Sequence, residues 1–488
     1  MLYDFVHPEL SLHAQALMRA AYGTLMVLTL LQALPEARRF FVSERWAGYA
    51  KSSPPVDAVQ NPFVASLVLA AWLAAAVALA FGWFSPWPAL VNVAFCRYFF
   101  VHMRWKSLTR GMGAPGFMSY WTGLVVFLLE YTTHLAPDIR NLALLVALID
   151  LALIMLSAGI YKATAGYPRN QGMELGLCNP MWGYWWRQYA TLPPNHWIIW
   201  TLNQLAWGTE VVLAICILIP PLREIGGLLL VFSFAFIATQ IRLGFLTEMV
   251  MVCGLLCVAP GGVIDGWIAT LVTAPATIAV TSGPAIVVAN RALDIALWVY
   301  LALLPLAHAG LYYNFYARRR LPQLLQRALE RYTNLFGIII WRVFSVDLVN
   351  FYVRIFAQPR AGGDRRLVGQ LGTWPRFNHV GEMICLTSVF TTLKYYPSNA
   401  EIFRERILRY ARTLPHDAGD ILVFEYLSVV KDHGRFDWVP TAEYRVDLAD
   451  ASIDERILEA GFSPRSAHPA SPVHEGATPG SYAPARPS

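Results

Sequence analysis

Arg140-Asn-Leu-Ala-Leu-Leu-Val-Ala-Leu-Ile-Asp150-Leu-Ala-Leu-Ile-Met-Leu-Ser-Ala-Gly-Ile-Tyr-Lys162 is the stretch that decides the class of this protein. Between its two basic ends it carries one charge, Asp150. A hydrocarbon layer about 30 Å thick needs about 20 apolar residues as a helix, and 140–161 supplies them. Working outward, comparable runs recur at 13–34, 63–84, 87–103, 116–135, 196–219, 224–242, 243–261 and 289–311. Together they predict about nine membrane spans. The apolar stretch 262–287 is interrupted by Gly, Pro and Thr, so it reads as a re-entrant segment or hairpin.

Composition agrees with a chain dissolved in lipid. Of 488 residues, 56% are hydrophobic and 14% charged, where an ordinary soluble domain has about 25% charged. The mean hydropathy is +0.43. These values exclude a plain cytosolic enzyme and a disordered protein. The net charge of +6 requires no nucleic-acid partner, because membrane proteins keep Lys and Arg in their loops. The six cysteines show no CxxC spacing, so neither a disulfide framework nor a zinc or other metal site is expected. No basic region precedes the first apolar run, which argues against a cleaved signal peptide.

The loops carry an orientation signal. Arg38, Arg39, Arg45 and Lys51 follow the first span, and Arg104, Lys106 and Arg110 follow the third. Lys162, Arg169 and Arg187 follow the fifth, and Arg318, Arg319 and Arg320 the last. The alternate loops are nearly bare. With nine spans this predicts an external N-terminus and a cytoplasmic C-terminal domain, in an inner (cytoplasmic) membrane.

Beyond the spans, leucines 321, 324, 325 and 329 among arginines predict an amphipathic helix over 321–340. Strands are expected at 344–356, 366–371, 421–431 and 443–448, and helices at 381–395 and 398–413, the second opened by a capping box at Ser398. The last stretch is rich in Pro, Ser, Ala and Gly and reads as disordered. The fold class is therefore mainly α: a polytopic transmembrane helix bundle over 1–315, an amphipathic connection over 316–340, a small α+β soluble domain over 341–460 and a tail over 461–488.

Charges at membrane depth are functional candidates by default. Here they include Arg19, Arg97, His102, Glu130, Asp150, Glu210, Arg242 and Glu248, with Gln240 beside them. The densest chemistry lies between the fifth and sixth spans, in Ser157–Gly166 and Met173–Trp186. Lys162 ends an apolar helix, where burial disfavours the ammonium and a neutral lysine serves as a general base. The bland alternative is a lysine reaching lipid phosphate. Trp182, Trp185, Trp186, Trp197 and Trp200 form an aromatic belt and predict an interfacial helix at about 176–191. A basic, glycine-rich loop, Arg97–Gly116, reads as a contact for lipid headgroups.

Several of these pieces resemble the HTTM superfamily, which includes the vitamin K-dependent γ-carboxylase and the lipase maturation factors. They are Ser157-Ala-Gly-Ile-Tyr-Lys162, Leu192-Pro193, Asn203 to Glu210 with Ile219-Pro220-Pro221, and Trp341-Arg-Val-Phe-Ser345. The resemblance covers roughly 90–345. It implies a membrane-embedded enzyme whose lysine, matched by Lys162, acts as base on a quinone-like lipid. Glu210 and Glu174 are the accompanying acid or orienting groups. Arg97, His102, Gln240 and Arg242 are the candidates for holding the cofactor. The carboxylase has a histidine in a later helix, whereas the comparable Phe234–Gln240 has none. The alternative implied is a non-catalytic maturation factor that binds a protein partner through its C-terminal domain.

Overall fold

The computed structural model describes residues 2–133, 135, 137–273, 284–340, 350–368, 376–432 and 435–458. Among them, seven helical segments are long and apolar enough to cross a membrane: Leu12–Phe41, Pro62–Phe81, Arg110–Thr132, Pro137–Thr164, Trp197–Leu218, Pro220–Gln240 and Val287–Tyr316. The helices used below are α1 (Leu12–Ala33), α2 (Pro62–Phe81), α3 (Trp87–Cys96), α4 (Gly113–Thr132), α5 (Pro137–Thr164), α6 (Trp197–Leu218), α7 (Arg223–Gln240), α8 (Leu246–Cys253), α9 (Pro284–Tyr316), α10 (Gln323–Phe336), α11 (Arg376–Phe390) and α12 (Ala400–Ala411). Local chemistry sets their ends. In α2 the Asn61 side chain accepts from the Phe63 and Val64 amides, Pro62 opens the first turn, and Gly82 closes the helix at φ +73°.

Two of the nine expected spans differ. The run 87–103 is ten residues of α-helix followed by a π-helical turn, Arg97–Val101, and a 3-10 turn, His102–Trp105. The run 243–261 is the eight-residue α8 with a 3-10 turn over Gly254–Cys257. The reason is burial. Leu246, Met249, Val250, Cys253, Leu256 and Cys257 are enclosed by neighbouring helices. An apolar run has the same composition whether protein or lipid surrounds it. The stretch 262–287 contains a short helix, Val263–Ala269, and 274–283 lie outside the described residues.

Several intramembrane charges turn out to tie helices together. Trp121 Nε1 and Tyr300 OH each donate to Asp150 Oδ2 at 2.8 Å, joining α4, α5 and α9. Glu130 accepts from Gln15 at 3.0 Å, from Arg19 at 3.2 Å and from Ser85. Arg140 donates to Gln15 Oε1 at 3.0 Å and to the Leu10 carbonyl at 3.1 Å. Glu248 pairs with Arg376 at 2.6 Å. A buried charge is tolerated when it is paired in this way.

The C-terminal region contains one antiparallel sheet, ordered β2-β1-β3-β4-β5. Its strands are β1 (Phe351–Pro359), β2 (Arg366–Leu367), β3 (Asp420–Asp432), β4 (Arg435–Asp447) and β5 (Ser452–Ile457). Alternate residues Phe351, Val353, Ile355 and Ala357 are buried, the period of two expected of a half-covered sheet. Phe390 of α11 and Phe403 of α12 pack on Tyr426 and Tyr444 of the sheet at 5.1–5.7 Å between rings. The expected strand 421–431 and the amphipathic helix appear, as β3 and α10. Helix 398–413 begins at Ala400 with Asn399 as its N-cap, and β5 has no counterpart among the expected strands. Residues 341–349, 369–375 and 461–488, and with them the Trp341–Ser345 signature and the expected tail, lie outside the described residues.

This region is built onto the helices. One hydrophobic core runs from Met18 and Met26 of α1 through Val380 and Leu386 of α11 to Phe424 of β3. Gly381 lets the Phe40 ring close over α11; a Cβ there would lie 2.5 Å from it. Gln32 accepts from the Phe377 amide at 3.0 Å, and Asn179 donates to the Phe351 carbonyl at 2.8 Å. Arg39, Lys51 and Arg110, from two of the basic loops and their flanks, all meet α11 or α12.

His379 makes this junction acid-sensitive. It is 2% exposed, and its Nε2 is 2.9 Å from the Met181 carbonyl. Burial, reinforced by the nearby Arg242 cation and opposed by the carbonyl, holds the imidazole down to about 4. The unfolded value is about 6.5. A base with a lowered folded pKa contributes stability that is full above pH 6.5 and is lost as pH falls towards 4. The full loss is about 3 kcal/mol. Thermal unfolding in detergent should therefore weaken between pH 7 and 4.5. His379→Gln should flatten that slope, and equal slopes in both proteins would contradict the assignment.

Candidate functional site

The site grows from the close contact of α5 and α6. Gly159 permits it: a Cβ there would meet Val211 Cγ2 at 2.6 Å and the Trp207 carbonyl at 3.1 Å. Small residues let membrane helices approach closely in this way. One turn later, Lys162 Nζ reaches Glu210 Oε1 at 2.5 Å and the Ala206 carbonyl at 3.3 Å. Lys162 is 4% exposed and Glu210 6%. The second carboxylate oxygen, Glu210 Oε2, is buried and has no hydrogen-bond partner among the described residues. Gly159→Val should push the two helices apart and destabilise the protein by about 1–3 kcal/mol. An unchanged unfolding midpoint would contradict this account of the packing.

The loop after α5 folds back over the pair. Gly166 at φ +107° and Asn170 at φ +58° turn the chain. Tyr167 is fully buried, and its ring fills the space a Cβ on Gly172 would need, at 2.2 Å. Burial holds the Tyr167 hydroxyl far above its ordinary value, with Tyr161 and the carboxylates Glu210 and Glu174 adding to the effect. Tyr167 therefore stays neutral and lies within electrostatic range of both acids. Glu174 is buried, accepting from the Gly172 amide at 2.7 Å and from Asn203 Nδ2 at 3.3 Å. Asn203 also donates to Asn170 Oδ1 at 2.7 Å and accepts from the Met173 amide at 2.9 Å. Asn203 and Glu210 lie seven positions apart, two turns along one face of α6.

Lys162 and Glu210 are thus in direct contact, whereas Glu174 is bonded to Asn203 and shares with Glu210 only the neighbouring Tyr167. Tyr167 and Asn203 were missed as site residues. The polar spacing of Asn203 and Glu210 within an apolar span was the available signal. The four residues expected to hold a cofactor divide into two other places. Arg97 donates to the Asn334 carbonyl of α10 at 3.3 Å. His102 is exposed, with its Nε2 3.4 Å from Lys106 Nζ and its ring stacked on Tyr98. Gln240 accepts from Tyr189 OH at 2.8 Å. Arg242 donates to the Pro180 and Gly183 carbonyls at 3.0 and 2.8 Å and covers the Tyr184 ring. The Gln240 carbonyl also accepts from the Tyr184 amide at 3.0 Å, so Gln240 and Arg242 fasten the 180–189 segment.

The expected interfacial helix at 176–191 is two short helices, Met173–Leu177 and Trp186–Ala190, with turns between them. Asn179 breaks the run: its Oδ1 accepts from the Met181 amide at 2.8 Å, and its Nδ2 reaches Phe351. Trp185, Trp197 and Trp200 are exposed, as a belt requires, whereas Trp182 is buried and Trp186 packs on Trp438. Among the described residues, no group of three or more His, Cys, Asp or Glu is placed to hold a metal. Comparison with family models, with curated proteins and with solved structures yields no match to this chain.

Proposed function

We propose that this integral membrane protein is an enzyme of the HTTM-like kind, acting on a lipid-soluble or membrane-presented substrate with Lys162 as base. The observation that carries the reading is the buried Lys162–Glu210 pair with its unpartnered carboxylate oxygen. Glu210 is positioned to take the ammonium proton, so the pair can present a neutral amine, the form that accepts a proton. Glu210 Oε2 is buried and without a partner among the described residues, which fits a hydroxyl donor. A reduced quinone-like lipid, when bound, would supply such an acidic hydroxyl. Lys162 Nζ takes that proton, the electron pair of the O–H bond stays on the oxygen, and the new ammonium pairs with that oxyanion while Glu210 keeps the proton it took first. Glu174, Tyr167 and Asn203 keep the covering loop closed against water.

The test follows disappearance of a reduced naphthoquinone in air-saturated detergent micelles, above the rate without protein. Purified wild-type protein should accelerate it. The paired variant Lys162→Met/Glu210→Leu should lose at least about a hundredfold, the usual contribution of a positioned base. Undiminished turnover in that variant would end the proposal.

A further inference from the structure

A second set of charges lies at the junction of the helices with the α+β region. Arg110 belongs to the loop that precedes α4, and Arg406 to α12, 296 positions later. Both hold the same residue of α11. Arg110 Nε donates to Ser388 Oγ at 3.1 Å, and Arg406 Nη1 donates to the Ser388 carbonyl at 2.8 Å. Two guanidinium groups are thereby fastened side by side, both half-buried. Neither has a carboxylate partner among the described residues, and each keeps two N–H-bearing nitrogens without an acceptor there.

The surroundings add positive charge. Arg104 and Arg110 both lie against Trp105, with their central carbons 4.9 and 5.2 Å from its ring. Arg409 is close to Arg406, and its charge is answered by Glu44 at 2.6 Å and Glu405 at 2.5 Å. Glu405 is further engaged by Lys51 at 2.6 Å. Those carboxylates are therefore already paired with other cations, and Tyr396 lies within electrostatic range of both arginines. Burial pushes Arg406 down to about 9, with Arg110 and Arg409 adding to the effect and Tyr396 and Glu405 opposing it. Arg110 and Arg406 repel as like charges, and the one carboxylate acting on Arg406 among the described residues, Glu405, is already paired with Arg409 and Lys51. Ser388 fixes them in place, so the repulsion is built into the fold.

The geometry points to an anion site: Arg110 and Arg406, fixed on Ser388 and supported by Arg104, bind a phosphate-type anion at the foot of the helices. Two guanidiniums present paired donors to one tetrahedral anion, the recognition for which arginine is suited. The exposed Trp105 beside them is the kind of residue found at the headgroup level of a bilayer. A phosphate there bridges the loop before α4 to α12, so binding also fastens the α+β region. This inference is independent of the reaction proposed for Lys162.

The experiment uses the full chain purified in a non-ionic detergent without phosphate. Thermal unfolding is recorded alone, with phosphatidylglycerol and phosphatidylcholine added separately, and with inorganic phosphate. Retained lipid is counted by native mass spectrometry. Wild-type protein is expected to unfold at higher temperature with phosphatidylglycerol or inorganic phosphate. A shift with the lipid alone identifies a headgroup, and one with both identifies a free-phosphate site. Arg110→Gln/Arg406→Gln should weaken that binding about tenfold or more, as loss of charge-assisted bonds requires. In the absence of anion the same variant should unfold no earlier than wild type, because repulsion is relieved. Arg360→Gln, just past the end of β1 beside Asp447 and Asp450, is the control and should bind as wild type. No shift with either anion, or binding unchanged in the double variant, overturns the site.

Discussion

Lys162→Met alone is expected to destabilise the protein by roughly 3–5 kcal/mol, and Glu210→Leu alone by a similar amount, whereas the two together should unfold close to wild type. Each single change leaves one charge in a place where its partner was 2.5 Å away. The surviving ion then has no water to replace that partner. The paired change removes both charges and leaves two side chains of similar volume in an apolar contact. Thermal unfolding of the three variants in detergent, with the amount of folded protein recovered, measures this cycle. Function follows the opposite pattern, because the paired variant folds yet has neither base nor acceptor. A purely structural pair would lose stability in the singles and leave turnover intact in the double. If the singles melt like wild type, the pair is not sealed from water, and the case for Lys162 fails with it.

The second large effect concerns Glu382, whose side chain is 1% exposed. Arg39 Nη1 reaches its Oε1 and Arg39 Nη2 its Oε2, both at 3.0 Å. Tyr49 OH donates to Oε1 and Tyr410 OH to Oε2, both at 2.8 Å. The four side chains come from the end of the first span, the loop after it, α11 and α12. Arg39→Met should therefore cost roughly 3–5 kcal/mol, since it strands a carboxylate inside protein. The loss is expected at the junction between the α+β region and the helices. Limited proteolysis should then cut near 350 or 376 faster than in wild type, and hydrogen exchange should rise in α11. Arg39→Met/Glu382→Leu should recover most of the protection. If Arg39→Met resists protease as wild type does, the cluster does not hold the two parts together.

Particular residues show how much of this was legible in advance. The run 140–161 announced a spanning helix because an apolar composition over that length has one physical use. Lys162 and Glu210 announced themselves as charges out of place in apolar helices. Their contact was not legible, because it depends on Gly159 letting α5 and α6 touch. Asp150 and Glu130 looked equally functional on composition. The structure shows them joined to Trp121 and Tyr300, and to Gln15 and Arg19, as ties between helices. The 243–261 run was misread as a span because hydropathy records the side chains and not what surrounds them.

By itself the sequence determined that most of the chain is built from apolar helices, that the end carries a small sheet, and that a few ionisable groups lie among apolar neighbours. Those features follow from periodicity and composition, which are local. Which charges meet was decided by tertiary structure alone: Lys162 with Glu210, Arg39 with Glu382, and Arg110 beside Arg406 on Ser388. The partners are separated by 48, 343 and 296 positions. Coulomb energy depends on distance and on exclusion of water, and neither exists until the helices have packed.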